Sequence, residues 1–339
     1  MKRTGAALVS ITLFAQQPFR STVEGVAIQA SVKSANRPVA GLTAEDFQVR
    51  DNGVPQQITA VAAEQVPLDL TLLLDSSASV DGPTIQRLKG AIDDTVALLR
   101  PDDRVRLIAI SQVLQQVFDF RPRGQAIAIE SLGAQGATSL FDALAAGMMR
   151  TSEPGRRQLV IAFTDGRDST SILDPAATKQ IARRTDAVVD VVVPPAKDEQ
   201  PPEQMPMPNN MRQWMNALMT PGSNVVTGSP SEMADRARDM KPWAKKDALT
   251  ATLSDIVAPT TGQVFPLAPK DSISHAFRHV LEDFRATYVI EYVPAGVAPD
   301  GWHEVTVAVS KPGKFDVRAR RGYQGRDNKQ SDSRWADIR

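Results

Sequence analysis

Leu68-Asp69-Leu70-Thr71-Leu72-Leu73-Leu74-Asp75-Ser76-Ser77-Ala78-Ser79 is the stretch that decides the fold. Residues 68–74 form a nearly continuous apolar run, which suits a parallel strand covered on both faces. Asp75 closes the run and a serine-rich turn follows. In open parallel sheets, ligands sit beyond the carboxyl ends of the strands. An Asp-x-Ser-x-Ser turn at that place can aim one carboxylate and two hydroxyls at a common point. Standing alone, the same turn also reads as a helix-capping serine cluster.

Working outward, residues 84–99 place Ile85, Leu88, Ile92, Val96 and Leu99 on one side of a helix. Residues 105–110 read as a second strand and 113–120 as a short strand at a sheet edge. Residues 139–149 are helical, with Leu140, Leu144 and Met148 four apart. A central strand over 158–164 runs into Asp165, a helix opened by proline covers 175–184, and the next strand is 187–193. After an interruption, a helix at 248–257, a strand at 262–265 and a closing helix at 272–284 resume the rhythm. Strands alternating with helices at this spacing predict the α/β class, as a doubly wound, mostly parallel sheet.

The flanks read differently. Val26, Ile28, Ala30 and Val32 alternate with more polar neighbours, and Phe47 and Val49 continue that period. Asp51-Asn52-Gly53 is a tight-turn signal, because Asn and Gly tolerate positive φ. This is too little chain for a buried sandwich by itself. Strands at 286–293, 303–309 and 314–319 supply the missing partners. The expected organisation is therefore an α/β domain over 67–285, flanked by a small β-sandwich built from 18–66 and 286–323. The interruption at 194–247 holds seven of the ten methionines and reads as an insertion covering its own domain; an adaptable Met-rich partner surface is the alternative. Residues 324–339 are polar and read as a disordered tail.

Lys2 and Arg3 precede an apolar run over 5–14, a pattern like a secretory signal within 1–17. That run is too short to span a bilayer, and no other segment is a transmembrane candidate. The expected location is extracytoplasmic, periplasmic or secreted, with association with the envelope. Lys plus Arg and Asp plus Glu each number 39, for a net charge of zero, so the basic field of a nucleic-acid binder is missing. The absence of cysteine excludes disulfides, thiolate metal sites and cysteine nucleophiles.

Two later loops supply what the first lacks. Gly136-Ala137-Thr138 precedes the helix at 139–149, and Thr164-Asp165-Gly166 follows the central strand. Asp75, Ser77, Ser79, Thr138 and Asp165 thus form a candidate metal-ligand set. These are hard oxygen donors, suited to Mg2+ or Mn2+ and less well to Ca2+. Two carboxylates balance a divalent ion, and so few strong ligands leave it able to take an acidic group from outside.

At this point the chain resembles the von Willebrand factor A family, with its metal-ion-dependent adhesion site. The resemblance covers residues 67–290, and all five residues match the family's ligand pattern without substitution. It implies a protein partner whose Asp or Glu carboxylate completes the ion's coordination. A narrower resemblance, to exported bacterial proteins of the "VWFA-related" Acidobacteria type, rests on the flanks. These are Phe19-Arg20-Ser21, Gly41-Leu42-Thr43-Ala44-Glu45-Asp46-Phe47 and Asp51-Asn52-Gly53-Val54-Pro55-Gln56, then Tyr288-Val289-Ile290-Glu291-Tyr292 and Val317-Arg318-Ala319-Arg320-Arg321-Gly322-Tyr323.

Other signals are weaker. His275 and His279 lack the glutamate of a zinc-protease helix, since Ala276 stands there. His303 reads as a strand residue, and Arg318, Arg320 and Arg321 as a solvated strand end. Ser77 has no Gly-x-Ser-x-Gly frame, and the first strand is followed by no Gly-rich phosphate loop. The expected function is metal-dependent protein recognition without catalysis. A structural module whose ion only stabilises loops is the first alternative, and a metal-assisted hydrolase the second.

Overall fold

The structure is a computed structural model that describes residues 25–35, 37–63, 66–77, 80, 82–124, 137–149, 153, 155–165, 168–194, 246–268 and 270–325. In chain order, β1 (Val26–Ser34), β2 (Arg37–Pro38), β3 (Phe47–Asp51), β4 (Val54–Gln56) and β5 (Ile58–Ala63) come first. Then follow β6 (Leu68–Asp75), α1 (Gly82–Ala97), β7 (Arg104–Ile110), β8 (Gln115–Pro122), α2 (Leu140–Met148), β9 (Arg157–Phe163), α3 (Pro175–Arg184) and β10 (Val188–Val193). The chain is described again from α4 (Lys246–Val257), through β11 (Val264–Pro266) and α5 (Ile273–Arg285). It ends with β12 (Tyr288–Tyr292), β13 (Gly301–Val309), β14 (Asp316–Ala319) and β15 (Gly322–Gly325). No helix among the described residues is long and apolar enough to cross a membrane.

The central sheet runs β11-β10-β9-β6-β7-β8 and is parallel except for β8, which pairs antiparallel with β7. Every residue of β6 is buried. Leu68, Leu70, Leu72 and Leu74 pack with residues of α1 and α5, such as Leu88, Ile92, Phe277 and Val280. Leu73 packs with α2 and α4, through residues such as Phe141, Leu144 and Leu253. Each buried leucine contributes roughly 2 kcal/mol. Together they hold the strand firmly enough to offset a polar residue at each end. At the amino end, Asp69 is paired with Arg104 at 2.6 Å and Arg156 at 2.7 Å. At the carboxyl end sits Asp75, wholly buried.

Strands from both chain ends build the flanking β module. One antiparallel sheet runs β14-β1-β12-β5, with β2 on β1, and the other runs β15-β13-β3-β4. They share one core, in which Ile28, Val32, Phe47, Val49, Tyr288 and Ile290 meet. Asp51 knits it together. Its buried carboxylate accepts the Tyr292 hydroxyl at 3.0 Å and the Tyr323 hydroxyl at 2.7 Å, and meets His303 Nδ1 at 2.8 Å. Positive φ at Asn52 and Gly53 makes the expected turn from β3 to β4.

Several expectations need correction. The edge strand expected at 113–120 is β8, shifted along to Gln115–Pro122, and Val113 lies in an exposed loop before it. Gln324 and Gly325, expected in the disordered tail at 324–339, pair with β13 instead, and residues 326–339 lie outside the described residues. α4 starts at Lys246, inside the range expected for the insertion. The rest of that insertion, from 195 to 245, lies outside the described residues, as does the secretory signal expected within 1–17. The arginines expected at a solvated strand end are divided. Arg321 is exposed, whereas Arg320 is buried against the α/β domain, with Nη1 2.8 Å from Asp186.

Where the two modules meet, Lys33 on β1 pairs with Asp283 on α5 at 2.6 Å. Asp190 on β10 is buried nearby and accepts the Gln263 amide at 2.7 Å. Burial pushes its carboxyl up to about 7; the Gln263 amide and the charges of Arg318 and Lys33 oppose the rise, and Asp283 adds to it. A folded value above the unfolded one means that the folded state holds a proton the unfolded state has lost. Stability from this group therefore falls as pH rises from about 4 to about 7 and is level above that. We expect Asp190→Asn to gain on the wild type by on the order of 1–4 kcal/mol between pH 5 and pH 8, at about 1.4 kcal/mol per unit. Urea unfolding at the two values checks this; parallel curves would contradict it.

Candidate metal centre

Asp75 is the last residue of β6, and its carboxylate is held from two sides. Oδ1 accepts the Ser77 amide at 2.9 Å, and Oδ2 accepts the Thr164 hydroxyl at 3.0 Å. The Ser77 hydroxyl bonds it as well. All of these donors are neutral, and no basic side chain among the described residues forms an ion pair with Asp75. Burial raises the Asp75 pKa; the Ser77 hydroxyl opposes the rise and the nearby charge of Asp165 adds to it. A buried carboxylate beside a second one is a place where a cation is stabilised.

A ring of hydrogen bonds draws the three expected loops together. The Ser76 amide donates to the Ile110 carbonyl at 2.8 Å, at the carboxyl end of β7. On the next residue of that end, the Ser111 carbonyl receives the Ser139 amide at 3.1 Å. The Thr138 carbonyl receives the Ser169 and Thr170 amides at 2.9 and 3.2 Å, and the Thr138 amide donates to Ser169 Oγ at 3.1 Å. From that segment the chain leads back to Asp165 and Thr164, and Thr164 returns to Asp75. Of the five candidate ligands, Asp75, Ser77 and Thr138 are buried and Asp165 is partly exposed. Ser79 lies outside the described residues, as do Gly136 and Gly166.

The segment after Asp165 does more than sequence reasoning assigned to it. α2 has no cap from its own Ser139. Asp168 Oδ1 instead accepts the Leu140 amide at 2.9 Å, and Ser171 Oγ accepts the Phe141 and Asp142 amides at 3.0 and 3.2 Å. Ser171 Oγ also donates to Asp168. In return, the Asp142 carboxylate accepts the Ile172 and Leu173 amides, each at 2.9 Å. The loop before α2 and the loop after β9 are therefore one interlocked unit. The signal was a run of cap-forming residues, Asp168-Ser169-Thr170-Ser171, in excess of what α3 uses, since α3 is capped by Asp174. Beside this unit, Ile172 and Val113 are held in solvent, 94% and 71% exposed.

The donor chemistry fits a hard divalent cation. Among the described residues, no group of three or more His, Asp or Glu side chains converges as a metal site. Asp75 and Asp165 are two carboxylates with hydroxyls around them, which suits Mg2+ or Mn2+ with water in the remaining positions. His275 and His279 are exposed on α5. His303 is buried in the flanking module, turned toward Asp51.

Residues 69–210 match the family model of the von Willebrand factor type A domain. That stretch is therefore similar to a von Willebrand factor type A domain. All five candidate ligands fall inside the matched stretch. An uncharacterized protein of Synechocystis sp. is 32% identical over 134 residues, 35% of this chain and 32% of that relative. The chain thus spans about a third of that relative's length. Among solved structures, proximal thread matrix protein 1 from the mussel byssus is 13% identical, with 66% of this chain and 49% of that one covered and a TM-score of 0.43. A von Willebrand factor type A protein from Catenulispora acidiphila is 14% identical, with 91% and 65% covered and a TM-score of 0.41.

Two substitutions test the local physics. Asp168→Ala should cost about 1–2 kcal/mol in urea unfolding, as the loss of a helix cap does. Asp75→Asn should raise the melting temperature of chelator-treated protein, because it removes a buried charge beside Asp165. A lower melting temperature would mean that the ionised carboxylate is needed for folding.

Proposed function

We propose that the type A domain is a recognition module that takes up a divalent cation and uses it to hold a carboxylate of a protein partner. The ring of hydrogen bonds that gathers the Asp75, Thr138 and Asp165 loops at the carboxyl edge of the sheet carries this reading. Asp75, Ser77, Ser79, Thr138 and Asp165 would hold the ion, directly or through water, and the ion would supply a Lewis-acidic position for the partner's oxygen. Two carboxylates neutralise the ion, so attraction to an incoming acidic group rests on the open coordination position rather than on excess charge. An extracytoplasmic placement belongs to the same reading, supported by the likeness of the flanks to exported proteins.

Ile172 and Val113 give the partner a second point of contact. The Asp142 carboxylate fixes the backbone at Ile172, and Ser111 Oγ accepts the Val113 amide at 3.3 Å. Both loops also meet Ser139, whose hydroxyl lies 2.8 Å from Thr170 Oγ1 and 3.4 Å from the Gln112 carbonyl. Apolar side chains held in solvent on fixed backbone add contact area at little cost in ordering.

In the chelator-treated 339-residue chain, added Mn2+ should raise the melting temperature saturably, as a ligand that binds only the folded state does. Thr138→Ala and Asp165→Ala should each weaken that affinity tenfold or more. Magnesium-dependent retention of a partner should be lost in Asp75→Ala. Ile172→Asp should lower retention and leave the Mn2+ affinity unchanged. Full partner retention by Asp75→Ala would show that the ion only stabilises loops.

A further inference from the structure

The far end of the molecule holds a second polar site. A cavity of about 740 Å3 lies between the type A domain and the flanking β module. It opens at the amino edge of the central sheet, where β9 and β10 begin, and the metal centre occupies the carboxyl edge. Its volume and its place between two modules are those of a small-molecule site.

The charge on its walls is unbalanced. Arg156, Arg157, Arg184 and Arg320 line it, against the carboxylates of Glu153 and Asp186. Both carboxylates are already engaged, Glu153 with Arg104 at 3.0 Å and Asp186 with Arg320 at 2.8 Å. Arg156 is bound to Asp69. Two cations are left over. Arg184 is exposed at the end of α3 and has no partner among the described residues. Arg157 is buried and, among the described residues, bonds only neutral acceptors: the Phe284 and Thr287 carbonyls, the Thr287 hydroxyl and the Gln29 side chain. Burial lowers its pKa to about 10, as expected for a guanidinium without a counter-charge.

Three of the four buried nitrogens without a hydrogen-bond partner among the described residues, all but Arg318 Nε, belong to residues of this cavity. They are Arg157 Nε, Arg320 Nε and His303 Nε2. Buried polar groups are nearly always paired, so the two guanidinium N–H groups call for a missing acceptor. His303 has its Nδ1–H turned to Asp51, and its Nε2 donates to such an acceptor when the ring is protonated. Water would satisfy hydrogen bonds; it would not answer the surplus positive charge.

We propose that this cavity binds a small organic anion, carrying a carboxylate or a phosphate group, between Arg157, Arg184 and His303. The ligand would bridge the two modules, since Arg157 and Arg184 belong to the type A domain and His303 to the flanking one. This site does not depend on the metal centre.

The test uses the full chain with chelator present, which keeps the metal centre silent. It is titrated with inorganic phosphate and separately with succinate, at ionic strength held constant with chloride, and heat of binding and melting temperature are followed. Saturable binding of either probe, weakened tenfold or more by Arg184→Gln or by Arg157→Lys, is the expected result. A phosphate response assigns a phosphate-bearing ligand and a succinate response a carboxylate-bearing one. Arg184 is exposed, so its replacement leaves folding intact. No saturable binding of either probe, or affinity unchanged in both variants, would overturn the proposal and leave a cavity filled by water.

Discussion

A carboxylate buried at the end of a leucine-rich strand is the constraint on which the rest of this molecule turns. Asp75 is wholly buried, its hydrogen-bond donors are neutral, and the charge of Asp165 lies close by. Taking an ion out of water costs several kcal/mol after relaxation. The buried leucines of β6 oppose that cost, and the hydrogen bonds from Ser77 and Thr164 reduce it. An arrangement that concentrates negative charge and then shields it from water is one that a divalent cation completes. On the proposed reading, stability would be given up locally for binding, a trade common at functional sites.

The positions of the other candidate ligands follow from backbone contacts made elsewhere. Neighbouring carbonyls at the end of β7, those of Ile110 and Ser111, receive the amides of Ser76 and Ser139. The segment 168–171 then grips both Thr138 and the amino end of α2. Loops held in this way lose little freedom on taking up an ion, and that preorganisation favours affinity. It also explains why Asp168 and Ser171 matter to a site they do not enter: they position the loop that carries Thr138.

Much of this was legible in the residues themselves. The apolar run of β6 and the spacing of apolar residues on α1 and α2 foretold a central sheet with helices on both faces. Asp75, Thr138 and Asp165 could be picked out because each follows or precedes a strongly patterned element. Contacts far apart in the chain were not legible. The capping of α2 by Asp168 joins residues 28 apart, and the pairing of Asp51 with His303 joins residues 252 apart. Nothing in local pattern reports such contacts. Arg320 misled for the same reason: a strand end reads as solvated until another module is known to cover it. Val113, expected at the start of an edge strand, stands in solvent instead.

The claim that these loops surround a cation is tested most directly by locating the ion itself. Crystals grown with Mn2+ and measured at a wavelength where manganese scatters anomalously should show a peak within coordination distance of Asp75 and Thr138, with Asp165 bound directly or through one water. A peak at another place, or none at saturating Mn2+, would contradict it.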